Sequence, residues 1–248
     1  MAKVMRHLTG FSAAYLLLTA FPLAAETLIV TLFSGDVPPY IMKVNGKRQG
    51  ITIDLFTLLA KYTPHEYVLR EAPVVRAMHE FDLGRIDIEP GVTPAWRKHR
   101  PVPGIYSIVY EEATDVIVFK EKNRFELNDV SDLYGKTIGV VRGYSYPGYD
   151  QAFASGKIKK VENSIEEHLL KQLALDRIEQ IFLGYRTVLY FKKQGGLFQN
   201  LAIGDVVGRN SISLRLHPSK AHLLPGINAA LKKMLDSGEI QAIFDKYQ

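Results

Sequence analysis

The 248-residue chain contains no cysteine. Disulfides are therefore excluded, and so are a cysteine nucleophile and a lipid-modified cysteine behind a leader. Long apolar runs are also missing after residue 25, so no later segment reads as a membrane span. The charges lack blocks. Lys+Arg total 31 and Asp+Glu 26, a net charge of +5, yet no Lys/Arg cluster of the kind that tracks phosphates is present, and nucleic acid is not expected as a partner. Hydrolase and nucleotide motifs (G-x-S-x-G, H-E-x-x-H, a phosphate loop) do not occur. The seven histidines are scattered. His217 and His222 read as surface residues, and no metal or cofactor is expected.

What is present begins with a leader-like segment. Lys3, Arg6 and His7 form a basic start, Leu8–Leu23 is mostly apolar but broken by Pro22, and Ala24-Ala25 precedes Glu26 as a small-residue cleavage site. Residues 1–25 are accordingly read as a signal peptide. Its removal takes Lys3 and Arg6 away and leaves a mature chain of +3. An exported, cysteine-free, unanchored chain is expected in a bacterial periplasm.

The most informative stretch is GRIDIEPGVTPAWRKHR, Gly84–Arg100. It predicts a helix stop at Gly84, a short strand over Ile86–Glu89, a Pro90-Gly91 turn and a new helix. Thr93 has the chemistry of an N-cap, and Pro94 suits a first helical position. Trp96 and Arg97 fall in the first turn. Backbone N–H groups, a guanidinium and an indole meeting at one loop would suit a small anionic or zwitterionic ligand. The same residues also describe an ordinary helix start with a packed Trp. Glu89, beside this loop, either receives a ligand's amino group or pairs with Arg97.

Elsewhere strands alternate with helices. Thr27–Phe33 and Thr137–Val141 are continuous β-rich runs typical of buried parallel strands. Each leads into a loop with tyrosines: Pro38-Pro39-Tyr40 after the first, and Gly143-Tyr144-Ser145-Tyr146 after the second. Ligands of open α/β sheets bind at such strand ends, and backbone N–H groups near Gly143–Tyr146 could cradle a carboxylate. Helices are predicted over Ile51–Tyr62, from Pro73 to Gly84, from Ser164 (capping box with Glu167) to Leu175, from Tyr185 to Gly195, and over Ala221–Leu235 and Glu239–Tyr247. Leu201–Val207 and Ser211–Leu216 read as two separate strands. The alternation gives an α/β class and runs twice, which suggests two lobes.

The ordered set VPPY (Val37–Tyr40), GITIDLF (Gly50–Phe56), LGRIDIEPGVTPAWR (Leu83–Arg97), LYGKTIGVVRGYS (Leu133–Ser145) and the closing LDSGEIQAIFDKY resembles the periplasmic solute-binding proteins of family 3. The resemblance spans the mature chain. It implies a two-lobe periplasmic-binding-protein-like fold of type II, each lobe a mixed sheet flanked by helices. Lobe 1 would comprise residues 26–113 plus 209–248, and lobe 2 residues 114–208. Two crossing strands, near Asp115–Phe119 and Ser211–Leu216, would form the hinge. The implied function is capture of a small polar, carboxylate-bearing, amino-acid-like ligand for ABC-type import, by a monomer that docks on an inner-membrane permease. Tyr40 would stack on the ligand, Thr93 would donate to it and Arg97 would grip its carboxylate. Arg97 is displaced by one residue, because Trp96 stands at the family's usual arginine position. Gly143, Tyr144 and Ser145 would contribute from lobe 2. The family's usual acid for an amino group falls at Gly184, followed by Tyr185, so Glu89 substitutes for that acid or the ligand lacks an amino group.

Reversible binding, not catalysis, is thus expected, and no catalytic residue is assigned. Two alternatives share the scaffold: a cyclohexadienyl dehydratase-like enzyme using Glu89 or another cleft acid as general acid, and a soluble sensor component.

Overall fold

The structure is a computed structural model and describes residues 25–247; the signal-peptide expectation lies almost wholly outside them. The first half runs β1 (Thr27–Phe33), β2 (Met42–Val44), β3 (Lys47–Gln49), α1 (Ile51–Tyr62), β4 (Glu66–Ala72), α2 (Val74–Asp82), β5 (Ile88–Val92), α3 (Pro94–Arg97) and β6 (Ile105–Tyr106). Next come β7 (Glu111–Lys120), β8 (Thr137–Val141), α4 (Asp150–Ala154), β9 (Lys159–Asn163), α5 (Glu166–Ala174), β10 (Gln180–Gly184) and α6 (Tyr185–Gln194). The chain closes with β11 (Leu201–Leu216), α7 (Leu224–Asp236) and α8 (Glu239–Lys246).

Nine strands form one mixed sheet in the order β4-β1-β5-β11-β7-β10-β8-β9, with β6 beside β11, and β2 and β3 pair as a separate antiparallel hairpin. Its two ends are parallel blocks, β4-β1-β5 and β10-β8-β9. Between them β11 and β7 pair antiparallel, from Leu201 opposite Lys120 to Ile212 opposite Glu111. The apolar clusters follow the same division. One is built from β1, α1, β5, the end of β11, α7 and α8, with Leu28, Val30, Leu59, Ile88, Leu214, Ile227 and Leu231 fully enclosed. Two others lie around β7, β8, α5 and β10. The fold is the two-lobed α/β architecture expected.

Several local expectations are corrected. Pro90-Gly91 does not make a turn: β5 continues through it, with Gly91 at φ +74°. Opposite, β11 shows a register shift between Ser213 and Arg215, so the dipeptide is an extra residue's worth of bulge in a paired strand. The Ser164–Glu167 capping box does not form; Ile165 occupies the N-cap and α5 begins at Glu166. The two predicted strands after Leu201 are one 16-residue strand. The helix expected after Thr93 is a single turn of 4 residues.

Among the described residues no helix is long and apolar enough to cross a membrane.

Candidate functional site

A cavity of ≈ 150 Å³ lies between the two halves of the sheet. It sits where the strand ends converge. Phe33 closes β1, Val92 closes β5, Tyr144–Tyr146 follow β8, and Gly184-Tyr185 join β10 to α6. β7 and β11 run along its floor and contribute Glu111, Ala113, Asp115 and Ile212.

Of the residues expected at a ligand, Tyr40, Trp96, Arg97, Tyr144, Ser145 and Tyr185 line this cavity together, whereas Glu89, Thr93 and Gly143 do not. Each of the three has a physical reason to be elsewhere. Glu89 is buried behind the cleft wall and is shared by two guanidiniums. Arg97 Nη2 donates to its Oε1 at 2.6 Å, and Arg215 Nη1 donates to its Oε2 at 2.6 Å. Burial would raise the Glu89 carboxyl, but the two arginines outweigh that and hold it below the usual carboxylate range. Thr93 is extended at the start of α3 and caps nothing with its side chain. Gly143, at φ +86°, faces Val74 and Val75 of α2, and a Cβ there would come within 3.1 Å of Val74.

Arg97 is therefore both a cleft residue and half of a buried ion pair. Its Nε and Nη2 are turned to Glu89, and Nη1 donates to the Trp96 carbonyl at 3.3 Å. Arg215, behind it, has its Cζ over the Phe81 ring, 3.7 Å from the centroid, and also donates to the Pro103 and Val102 carbonyls. Trp96, one residue before Arg97, lines the cavity and packs against the apolar cluster of the first half, with Nε1 buried and unpartnered. The Thr31 hydroxyl at the same cavity is likewise buried without a partner. Buried polar groups of this kind need a hydrogen-bond partner, and a polar solute bound in the cavity could supply one.

The loop after β8 offers little to an anion. The Tyr144 N–H donates to the Val141 carbonyl, and the Tyr146 N–H donates to Asp150 Oδ1 at 3.0 Å. The Ser145 hydroxyl also goes to Asp150, at 2.8 Å.

Four cleft residues were missed in the sequence: Glu111, Asp115, Glu166 and Arg186. The Tyr40 hydroxyl donates to Glu111 Oε1 at 2.7 Å, and Arg186 Nε lies 3.2 Å from the same oxygen. Burial raises the Glu111 carboxyl, with Tyr40 and Arg186 pulling the other way. Asp115 accepts from Asn210 Nδ2 at 2.9 Å, and burial pushes it up to about 6. Glu166, the first residue of α5, accepts from the Tyr144 hydroxyl at 3.1 Å. Burial raises it to about 7, against the opposing pull of the Tyr144 and Thr187 hydroxyls. Asp115 is hidden in the strand run DVIVF, and Glu166 in what reads as a helix-capping pattern. Only their burial beside one another marks them.

Residues 29–248 match the family model described as bacterial extracellular solute-binding proteins, family 3. Curated relatives include the arginine-binding extracellular protein ArtP of Bacillus subtilis (strain 168), 24% identical over 217 residues, covering 86% of this chain and 83% of that protein. The L-cystine-binding protein TcyJ of Escherichia coli (strain K12) is 24% identical over 227 residues, covering 89% and 82%. Among solved structures, an ancestral arginine-binding protein bound to arginine superposes with a TM-score of 0.75 at 23% identity, covering 89% of this chain and 97% of that one.

Proposed function

The chain belongs to the bacterial extracellular solute-binding proteins of family 3, and from that premise we propose that it captures a small amino-acid-like solute between its lobes for ABC-type import. One observation carries the reading: a partly apolar cavity sits at the converging strand ends of both halves and holds buried polar groups with no partner inside the protein. The family is extracytoplasmic. The basic-then-apolar leader before Glu26 supports delivery to the periplasm, with a membrane permease as the partner that receives the loaded form. The amino acids named for ArtP and TcyJ support an amino-acid-like ligand.

In this reading Tyr40, Trp96 and Tyr185 are the flat walls against which the solute lies. Tyr144 supplies a polar contact, and so do the Trp96 indole N–H and the Thr31 hydroxyl, which have no partner among the described residues. β7 and β11, which pass from one half to the other, are the hinge, so that closure of residues 114–208 onto the rest buries the ligand.

The test is a thermal-shift and calorimetric screen of the chain from Glu26 onward against amino acids, amines and small carboxylates. A ligand bound only by the native state adds about 2.7 kcal/mol of stability at a hundredfold excess over Kd, which appears as a melting-temperature rise of several degrees. Small-angle scattering should show the radius of gyration fall on binding. A well-folded chain that no such compound stabilises would defeat the reading.

A further inference from the structure

Where an acid projecting from position 184 would reach into the cleft, Gly184 has none. A Cβ built there lies 4.0 Å from Asp115 Oδ1 and 3.9 Å from the Thr187 hydroxyl. Asp115 arrives from the floor strand β7, and Glu166 arrives from the start of α5. Both line the cavity beside Gly184 and Tyr144. Among the described residues neither acid has a Lys, Arg or His within ion-pair distance. Asp115 has Asn210, and Glu166 has the hydroxyls of Tyr144 and Thr187, both neutral groups. Glu166 is 4% exposed, and its second oxygen, Oε2, is buried with no hydrogen-bond partner.

The cleft's positive charge does not balance them. Arg97 is held by Glu89, and Arg186 by Glu111 while it stacks on Phe244 at 4.7 Å. The two carboxylates at the lobe-2 wall are therefore uncompensated in a desolvated site, a costly arrangement unless a cation arrives.

Resting on the capture reading above, we infer that Asp115 and Glu166, with Tyr144, form the cation-binding end of the cleft, and that the ligand is net positive, entering with an ammonium or guanidinium group. Glu166 Oε2 and Asp115 Oδ1 are the acceptors for its N–H donors. An ammonium offers three such donors and a guanidinium five. The apolar and aromatic walls from Trp96, Tyr40 and Ile212 take the aliphatic body. Neutral zwitterions and acidic amino acids would leave one carboxylate unpaired, or add a third. A bound cation favours the ionised form of Glu166, whose proton is then released. The groups facing it are Asp115, Tyr144, Tyr146 and Thr187.

The experiment is titration calorimetry on the chain from Glu26 onward with L-arginine, agmatine, L-citrulline (the neutral isostere of arginine) and L-glutamate. Near pH 7 it is run in two buffers of different ionisation enthalpy. Arginine or agmatine should bind at least tenfold more tightly than citrulline, and glutamate more weakly still. Glu166→Gln and Asp115→Asn should each weaken cation binding ten- to a hundredfold, the range for a lost charged hydrogen bond. Proton release on binding should vanish in Glu166→Gln, a change that a purely structural role would not produce. Citrulline or glutamate binding as tightly as arginine, or both variants retaining full affinity for it, would overturn the inference and leave solute capture standing. No binding of arginine or agmatine by a chain that the wider screen shows to take a neutral or acidic solute would also overturn the inference, whereas a chain with a cooperative melt that binds no screened compound would defeat the capture reading itself.

Discussion

Glu89 is a single carboxylate answering two guanidiniums in a buried site. It is 1% exposed, Arg97 4% and Arg215 0%. Replacing such a cluster by apolar groups of matched shape can be neutral, but removing one partner leaves buried charge exposed to the low-dielectric interior. Glu89→Ala should therefore destabilise the fold by about 3–5 kcal/mol, read as a drop in urea midpoint at unchanged m-value; a loss under about 1 kcal/mol would mean that water reaches the arginines. Arg97→Ala, which the sequence alone would credit with an affinity effect in an intact fold, carries part of the same stability cost, so its binding must be measured well below its melting temperature. Glu166 supplies a pH signature. Burial lifts it from 4.5 to about 7. Between those values the folded chain holds a proton that the unfolded chain has released, and stability from this group falls as pH rises through the window. His65, lowered by burial, works in the other direction below 6.5, and Glu26, pulled down to about 2 mainly by Lys220 and His222, acts only below 4.5. Comparison with Glu166→Gln cancels both. In the absence of ligand, Glu166→Gln should be close to the native chain in stability at pH 5 and more stable than it at pH 8, by at most about 3 kcal/mol, read as a higher melting temperature. Equal melting at pH 8 would show that the carboxyl is solvated.

Elements were legible wherever local chemistry and burial agreed. β1, α1 and β8 match their expected bounds because a β-rich run or a 3.6-residue apolar repeat needs no partner to be recognised. Legibility failed where pairing overrode local signals. Pro90-Gly91 carries turn residues, yet β11 holds the strand through them as a bulge. Gly208-Arg209-Asn210 look like a break between two strands, but β7 lies alongside the whole segment and carries it across register shifts at Ile203/Val206 and Val206/Gly208. At Gly204 a Cβ would stand 2.5 Å from the Phe119 ring, so the glycine marks close strand packing, not an end. The site divides in the same way. Aromatic loop residues such as Tyr40, Trp96 and Tyr144 announce themselves by composition. Asp115 and Glu166 gain their meaning only from burial and from each other, which no local window contains. The pairing of Glu89 with Arg97 was one of two arrangements that the sequence left open, and Arg215, the second partner, lies 126 positions away from Glu89.

At the scale of the molecule the cleft is bounded by contacts between residues far apart in sequence on its two sides. Tyr190 of α6 donates to Met42 Sδ at 3.4 Å, Arg186 meets Glu111 and Phe244, and Ile165 approaches Gly35, where a Cβ would lie 3.7 Å away. The tightest of these approaches is Gly143 against α2, where a Cβ would sit 3.1 Å from Val74 Cγ1 and 3.3 Å from Val75 Cγ2. A side chain at 143 would act as a wedge that keeps the halves from meeting, and it would also strain a backbone at φ +86°. The two effects separate in a double-mutant cycle. Gly143→Ala alone should lower ligand affinity and enlarge the bound-state radius of gyration. Val74→Ala in the same chain should restore affinity by about 0.5–3 kcal/mol of coupling, because it empties the space the new methyl needs, while leaving the left-handed strain and its melting-temperature cost in place. Purely additive effects on affinity would mean that the halves do not close against each other at this point, and that binding proceeds without the movement about β7 and β11.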